Sequence, residues 1–410
     1  MKKYFVTFLG LLLILLPSNL GKHIILPSSF VLGNLVDYLV PTVYLTDFFV
    51  IFLVALMLVF IARQSLPRLP ANIKLLVAIL LILFLFITLS VLFHPTLPGI
   101  YKYLRIALYL AMSILVALMS FSRLSLTKLL NFLSVSILLQ CLLACWQFLS
   151  QRSLCGFLCL GESTLSPLPY GIARDYFGGR YLISPYGTFP HPNVLGGFLA
   201  ISLPVLLYFF FALRKRRYLL ILYLSLAVLL LTKSQAALLV GVLGLGAVLI
   251  YSFKPLGFTS NPSLFSGLFF PISWLSSISF WRRLQLADVS LKMALDQPWF
   301  GVGLNQFIPS LVSYGYSAGW PLFLQPVHNI YLLIAAESGI PTLTTFLIFS
   351  GCFLLFLFKS QQYLLLLAAL QLLLLGLWDH YLWTTPQGLL MLWLTLGIGL
   401  SRIRTANAIP

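Results

Sequence analysis

The sequence predicts an all-α integral membrane protein, one polytopic domain over residues 1–410 with about twelve transmembrane helices and two larger outer loops. Of its 410 residues 60% are hydrophobic and only 8% charged, with a mean hydropathy of +1.03, more apolar surface than a soluble chain of this length can hide. Apolar runs of roughly 17 to 22 residues recur along the whole chain, separated by short polar or proline-containing breaks. No polar stretch is long enough for a separate soluble domain.

The opening residues 1–22, "MKKYFVTFLGLLLILLPSNLGK", have the two lysines and apolar core of a secretory signal, but no small-residue cleavage site follows, so they are read as the first span. The expected spans are Tyr4 to Leu20, Thr46 to Ile61, Leu75 to Phe93, Ile100 to Ser120, Leu129 to Leu149 and Pro192 to Leu213. Six more follow, Tyr218 to Leu231, Ala236 to Tyr251, Leu264 to Phe280, Ile330 to Phe358, Tyr363 to Trp378 and Gly388 to Leu400. The stretch from Gly21 to Thr46 has room for a re-entrant piece.

A formal charge of +17 would suit nucleic acid only if the basic residues clustered on a soluble face, and here topology accounts for the excess instead. With both termini in the cytoplasm, one side receives Lys2, Lys3, Arg63, Arg68, Lys74, Arg123 and Lys128. It also receives the run Arg214 to Arg217, then Lys254, Lys359, Arg402 and Arg404. That is the positive-inside pattern. The other side receives all eight acids and all five histidines, so any chemistry faces outward.

Two outer segments are long, outer loop 1 at residues 150–191 and outer loop 2 at residues 281–328. They carry Arg152, Arg174, Arg180, Arg282 and Arg283 on the side that the charge rule would empty of arginine, which calls either for an anionic ligand or for pairing with acids such as Glu162 and Asp175. In "GGRYLISPYGTFPHPNVLGGF", Pro192 suits a first helical turn, so a helix begins near His191 with unpaired N–H groups facing out, an end that attracts phosphate. Arg180 lies eleven residues upstream, and Gly196 with Gly197 reads equally well as close helix packing.

Outer loop 2 opens with "FWRRLQLADVSLKMALDQPWFGVGLNQF". Gln285, Asp288, Lys292 and Asp296 recur at helical spacing with Leu284, Leu291 and Leu295 pointing elsewhere, which predicts a short amphipathic helix ended by Pro298. Arg282 and Arg283 would sit at its beginning, opposing the helix dipole unless an anion relieves them. "GVGLN" is no nucleotide fingerprint, since no strand precedes it and the third glycine is missing.

In "VHNIYLLIAAESGIP", His328 stands at a membrane mouth and Glu337 is buried nine residues later, about 13 Å deeper and half a turn away on a regular helix. The two cannot face each other. Glu337 is expected to anchor the bundle through an arginine or a backbone N–H. Cys155 and Cys159 fall in outer loop 1, where a disulfide is permitted. No Asp-x-Asp or Glu-x-Asp pair occurs, so neither a metal nor any other cofactor is expected.

Taken together, "RYLISPYGTFPHPN", "RLQLADVSLKMALDQPWFGVGLNQF" and "HNIYLLIAAESGIP" resemble the O-antigen ligase and polymerase superfamily of bacterial membrane glycosyltransferases. The resemblance implies a GT-C-like arrangement of about twelve spans in the inner membrane, with an extracytoplasmic site. It implies a donor glycan on undecaprenyl diphosphate, passed in one metal-independent step to the hydroxyl of a glycan or lipid acceptor, with the bilayer and no nucleic acid as surroundings. By motif, Arg180 and Arg283 would hold the diphosphate, with Arg282 as an alternate. His328 would take the acceptor's proton, Asn329 would orient His328 or bind sugar, and Glu337, His191 and Asn193 would support them. Where the family carries Thr-x-Ser-Arg this chain has "TKSQ", so Gln235 replaces the arginine and Lys233 offers the nearby charge. Asp379 and His380 either border the same cavity or form an interfacial polar pair. Ligase and polymerase are not separated by these residues. A solute transporter, the reading from another class, would need midplane polar sites in broken helices and matching halves. Neither is evident.

Overall fold

The computed structural model describes residues 2–62, 70–166, 171–253, 278–316 and 323–403. The predicted ninth span, all but its last three residues, lies outside them, as do Arg63, Arg68, Lys254 and Arg404. The chain is an all-α membrane protein. Among the described residues six helices are long and apolar enough to cross a bilayer, and four shorter apolar helices accompany them.

The first half of the bundle is α1 (Lys2–Leu15), α2 (Leu45–Ala62), α3 (Ala71–Phe93), α4 (Leu97–Ala117), α5 (Arg123–Ser150), α6 (Pro192–Leu213), α7 (Arg216–Leu231) and α8 (Gln235–Phe253). α1 ends earlier than its apolar run because Pro17 disfavours helix just before it. Pro192 opens α6 as its fixed φ allows, and α6 packs against α7, α8 and α13 (Tyr363–Leu375) in the middle of the bundle. Gly196 and Gly197 serve that packing: a Cβ on Gly196 would press on Ala237 and Ser234, and one on Gly197 would meet the Tyr381 hydroxyl.

Between α1 and α2 the chain forms short strands and two single 3-10 turns. β1 (Gly21–His23) pairs antiparallel with β4 (Thr42–Tyr44), and β2 (Phe30–Val31) with β3 (Asn34–Leu35). A short parallel pair joins β5 (Ser120–Phe121) to β8 (Arg402–Ile403). In outer loop 1, β6 (Arg174–Phe177) and β7 (Arg180–Ile183) form a hairpin whose turn, Gly178 and Gly179, takes positive φ at both positions, as a two-residue turn requires. The Cys155–Cys159 disulfide closes a tight loop around buried Glu162, whose carboxylate accepts from the Leu154, Cys155 and Gly156 N–H groups and from Gln147. Asp175 takes the Ser184 hydroxyl. Among the described residues Arg152, Arg180, Arg282 and Arg283 form no ion pair with either acid.

The amphipathic helix of outer loop 2 is α9 (Ile278–Asp296), longer than expected, with Leu286, Val289 and Met293 buried against α11 (Ile330–Ser338). Leu284, Leu291 and Leu295 are exposed beside Asp288 and Lys292, so the leucines meet the surroundings and not the core. Arg282 and Arg283 lie on the second turn of α9 rather than its first, which weakens the expected conflict with the dipole. A short α10 (Phe307–Ser310) follows.

The expected tenth span is two helices, α11 and α12 (Ile340–Lys359), broken at Gly339. Gly339 has φ 86°, a left-handed value that an L side chain resists, and Pro341 starts the next helix. The groups freed by the break are taken up by the "PWFGVG" turn: Val302 N–H donates to Ala336 O (2.8 Å), Gly303 N–H to Glu337 O (3.1 Å), and Ile340 N–H to Pro298 O (2.8 Å). Ser90 of α3 donates to Phe300 O and Glu337 O. Gly301 and Gly339 let these backbones touch, since a Cβ on either would run into the opposing chain. The chain ends with α13, α14 (Tyr381–Thr384) and α15 (Pro386–Leu400), which packs on α4.

Glu337 finds a lysine, not an arginine. Lys102 Nζ lies 2.8 Å from Glu337 Oε2, both side chains almost fully buried between α4 and α11. One turn along α4, Arg105 binds Asp47 at 2.8 Å and the Thr42 carbonyl at 2.6 Å, and is stacked between Tyr44 and Tyr101. Lys102 and Arg105 do not stand out in an apolar window. Their partners are far away in sequence and meet them only after the bundle closes.

Breaking one half of a buried pair leaves a bare charge, at a cost of about 3–5 kcal/mol. Lys102→Met is therefore expected to lower the unfolding free energy in detergent by about that amount, while Lys102→Met with Glu337→Gln recovers most of it. Equal losses in the single and double variants would contradict the pairing.

Candidate active site

The site is organised by the end of α13. That helix stops at Leu375, and the carbonyls beyond it lack helical donors. Gly376 O accepts from Ile330 N–H (2.8 Å), Leu377 O from Asn329 Nδ2 (3.2 Å) and Trp378 O from Arg283 Nη1 (3.1 Å). The negative end of a helix dipole also suits a guanidinium. Three successive carbonyls thus gather α11 and α9 onto one turn.

The next two residues draw in α6. Asp379 Oδ2 accepts from Asn193 Nδ2 (2.9 Å), and Oδ1 accepts from His380 N–H (2.8 Å). Asn193 follows His191, whose Nδ1 accepts the Asn193 N–H (3.1 Å) and so caps α6. With Nδ1 an acceptor, the proton of a neutral His191 resides on Nε2. His191 is an exposed residue. Asn329 caps α11 in the same manner, its Oδ1 accepting from Tyr331 and Leu332 N–H. Two helix N-termini, each with a positive dipole end, therefore open onto one place.

His328 sits between them, half-buried. Its ring centroid is 5.1 Å from that of His380, edge to face, and it lies parallel to Phe323, across which Arg282 is placed 4.9 Å from the ring centroid. His380 Nδ1 is held by Thr384 (2.9 Å), and Tyr38 packs edge-on against the same ring. Two buried polar atoms here have no protein partner, His328 Nδ1 and Arg283 Nε. A buried nitrogen without a partner is costly unless a ligand or solvent satisfies it.

Burial pushes the imidazoles of His328 and His380 well below the ordinary histidine value; Asp379 opposes the shift, while Arg283 and His191 reinforce it in both. Burial also lowers His191. For Asp379 burial alone would favour the neutral acid, but His380, His328, Arg283 and His191 outweigh it and hold the carboxyl below the usual range. Chemically, the site combines a neutral imidazole with a free lone pair, two guanidinium groups, an N–H-donating histidine and an ionised carboxylate. Among the described residues no group of three or more His, Cys, Asp or Glu side chains is arranged to hold a metal ion.

Of the residues anticipated from sequence, His328, Arg283, Arg282, Asn329, His191 and Asn193 meet here. Glu337 does not; it lies on the far end of α11, tied to Lys102. Arg180 is exposed in β7, opposite Phe177, and its side chain makes no hydrogen bond or ion pair among the described residues. Beneath that hairpin Lys233 lies 4.9 Å from the Phe177 ring centroid, so a second cation accompanies Arg180. Asp379 and His380 join the same group of side chains, Asp379 through Asn193 and His380 against the His328 ring. Tyr38 carried no signal, being one aromatic in an irregular stretch.

The depressed pKa of His328 predicts that its imidazole, followed by nitrogen NMR in histidine-labelled protein, stays neutral at pH values where an ordinary histidine is protonated. Because Asp379 raises this pKa, Asp379→Asn moves the transition further toward acid. A His328 that titrates at or above about 6.5 would contradict this electrostatic account.

The sequence model of a family described as O-antigen ligase matches residues 193–347, a segment running from Asn193 through α6 to α9 and on to His328, Asn329 and Glu337. No curated protein matches the chain. The matched segment contains both arginines of α9 and the histidine between the two helix caps, and over it the chain is similar to the O-antigen ligase family.

Proposed function

We propose that the protein is an O-antigen ligase-like glycosyltransferase that moves a glycan from undecaprenyl diphosphate to an acceptor hydroxyl at the outer face of the bacterial plasma membrane. The observation that carries this is the meeting of His328 and Arg283, forty-five residues apart in sequence, each with an unpartnered buried nitrogen, beside two helix N-termini.

The chemistry asks for little else. A diphosphate is a good leaving group, and the negative charge that grows on it is stabilised by fixed guanidinium forks in a partly dry site. Arg283 is the main clamp, held in aim by Trp378 O, and Arg282 flanks it across Phe323. His191 Nε2–H and the N-terminus of α6 face the same anion. Arg180, with Lys233, is assigned to the diphosphate or the first sugar from the hairpin side. His328 in its neutral form takes the proton of the acceptor hydroxyl as the new glycosidic bond forms and the bond to the diphosphate breaks. Asn329 sets the direction of His328 by capping α11, and Glu337 fixes that helix at its other end. In this reading the basic residues at the opposite ends of the helices favour cytoplasmic termini and an outward-facing site, within a fold of about twelve spans of GT-C-like type.

Purified protein is expected to transfer glycan from an undecaprenyl-diphosphate donor in the presence of chelator. His328→Ala and Arg283→Ala lower kcat/KM by at least roughly a hundredfold, the scale of a lost base or oxyanion partner, with normal insertion. Full turnover in either variant would remove the role assigned to it, and loss of activity with chelator would remove metal independence. Supplying a lipid-linked glycan or a different glycolipid as acceptor distinguishes polymerase from ligase.

A further inference from the structure

At the other end of the bundle lies a cavity of 1140 Å³ that the proposed reaction does not use. Its wall runs along α6 from Phe198 to Phe209, beginning about 10 Å from His191 at 1.5 Å per residue and extending to the basic end of the helix. Apolar side chains make most of its lining, above all leucines of α1, α5, α13 and α15. Its volume is at the upper end of, or above, the roughly 300–1,000 Å³ typical of pockets for small ligands. Too few polar groups line it to orient a polar solute, whereas a long hydrocarbon would be held by burial alone.

The rim has the opposite character. Asn72, Ser360, Gln361 and Gln362 are amide and hydroxyl groups at the mouth, and the Gln362 Oε1 has no protein partner. Three exposed lysines, Lys74, Lys128 and Lys359, each stand one residue from a lining residue, namely Ile73, Leu129 and Ser360. None of the three is ion-paired among the described residues, and no acid lines the cavity. The exposed run Arg214 to Arg217 adds to the positive field at this end.

We infer that this cavity is a binding site for an anionic phospholipid of the leaflet at the basic end, its acyl chains in the apolar interior and its phosphate among Lys74, Lys128 and Lys359. Apolar chains fill the hole, and the lysines choose the headgroup. Basic pockets between transmembrane helices recognise anionic headgroups in this manner, each lysine near the surface contributing roughly a fivefold preference. The site lies on the face opposite the proposed transfer chemistry and does not depend on that reading.

The test is lipid analysis of the full-length protein reconstituted in nanodiscs of phosphatidylethanolamine and phosphatidylglycerol, re-extracted in mild detergent and examined by native mass spectrometry. Wild-type protein is expected to retain phosphatidylglycerol enriched over the nanodisc composition. The triple variant Lys74→Gln, Lys128→Gln, Lys359→Gln keeps a bound phospholipid but loses at least roughly fivefold of the enrichment. Ala247→Trp, a substitution at an exposed lining position, fills the cavity and lowers bound lipid of both classes. Wild-type lipid that mirrors the bulk composition would overturn the headgroup assignment. Undiminished lipid in Ala247→Trp, or a photo-crosslinker at Ala247 that labels only the protein's own residues or a polyprenyl lipid, would overturn the cavity as the site.

Discussion

The arrangement rests on a turn whose backbone has nothing helical to bond to. Where α13 stops, the carbonyls of Gly376, Leu377 and Trp378 need donors, and a buried carbonyl left without one is expensive. They are met by the first N–H of α11, by the side chain that caps α11, and by the guanidinium of Arg283. Asp379 and His380 then reach α6 and the ring of His328. One helix end thus converts a local hydrogen-bonding requirement into the placement of three distant segments.

A second break acts in series with the first. α11 is only nine residues long, and both of its ends are held: Asn329 and the α13 turn fix the N-terminal one, while the Gly339 break, the "PWFGVG" turn and the Lys102–Glu337 pair fix the C-terminal one. A short helix pinned twice cannot slide or rotate without uncovering a charge or a backbone group, so His328 keeps a constant relation to Arg283 on the neighbouring α9. The glycines of that turn matter because a Cβ would force the two backbones apart. What reads in sequence like part of a nucleotide motif is a packing device.

Much of this was legible in the residues. The apolar runs located α2 to α8, with the start of α5 missed by six residues, Pro192 announced the start of α6, and three motifs pointed to His328, Arg282 and Arg283. The illegible parts share one physical cause, which is that they depend on partners distant in the chain. Lys102 and Arg105 look like blemishes in an apolar helix until Glu337 and Asp47 arrive. The break at Gly339 is hidden because α11 and α12 are apolar on both sides of it, and composition measures burial rather than direction. Asp379 gives no local sign that its carboxylate faces Asn193 across 186 residues. Periodicity placed the polar face of α9 correctly but not its leucines, since a helix beside lipid exposes apolar residues at no cost.

The central claim is that Arg283 holds an anion while His328 handles a proton, two duties in one site. Equilibrium binding of undecaprenyl diphosphate to purified variants separates them most directly. The account predicts that Arg283→Ala weakens binding at least roughly tenfold, while His328→Ala binds within about twofold of wild type although it no longer turns over. Equal binding by all three proteins, or a loss in His328→Ala as large as that in Arg283→Ala, would contradict it.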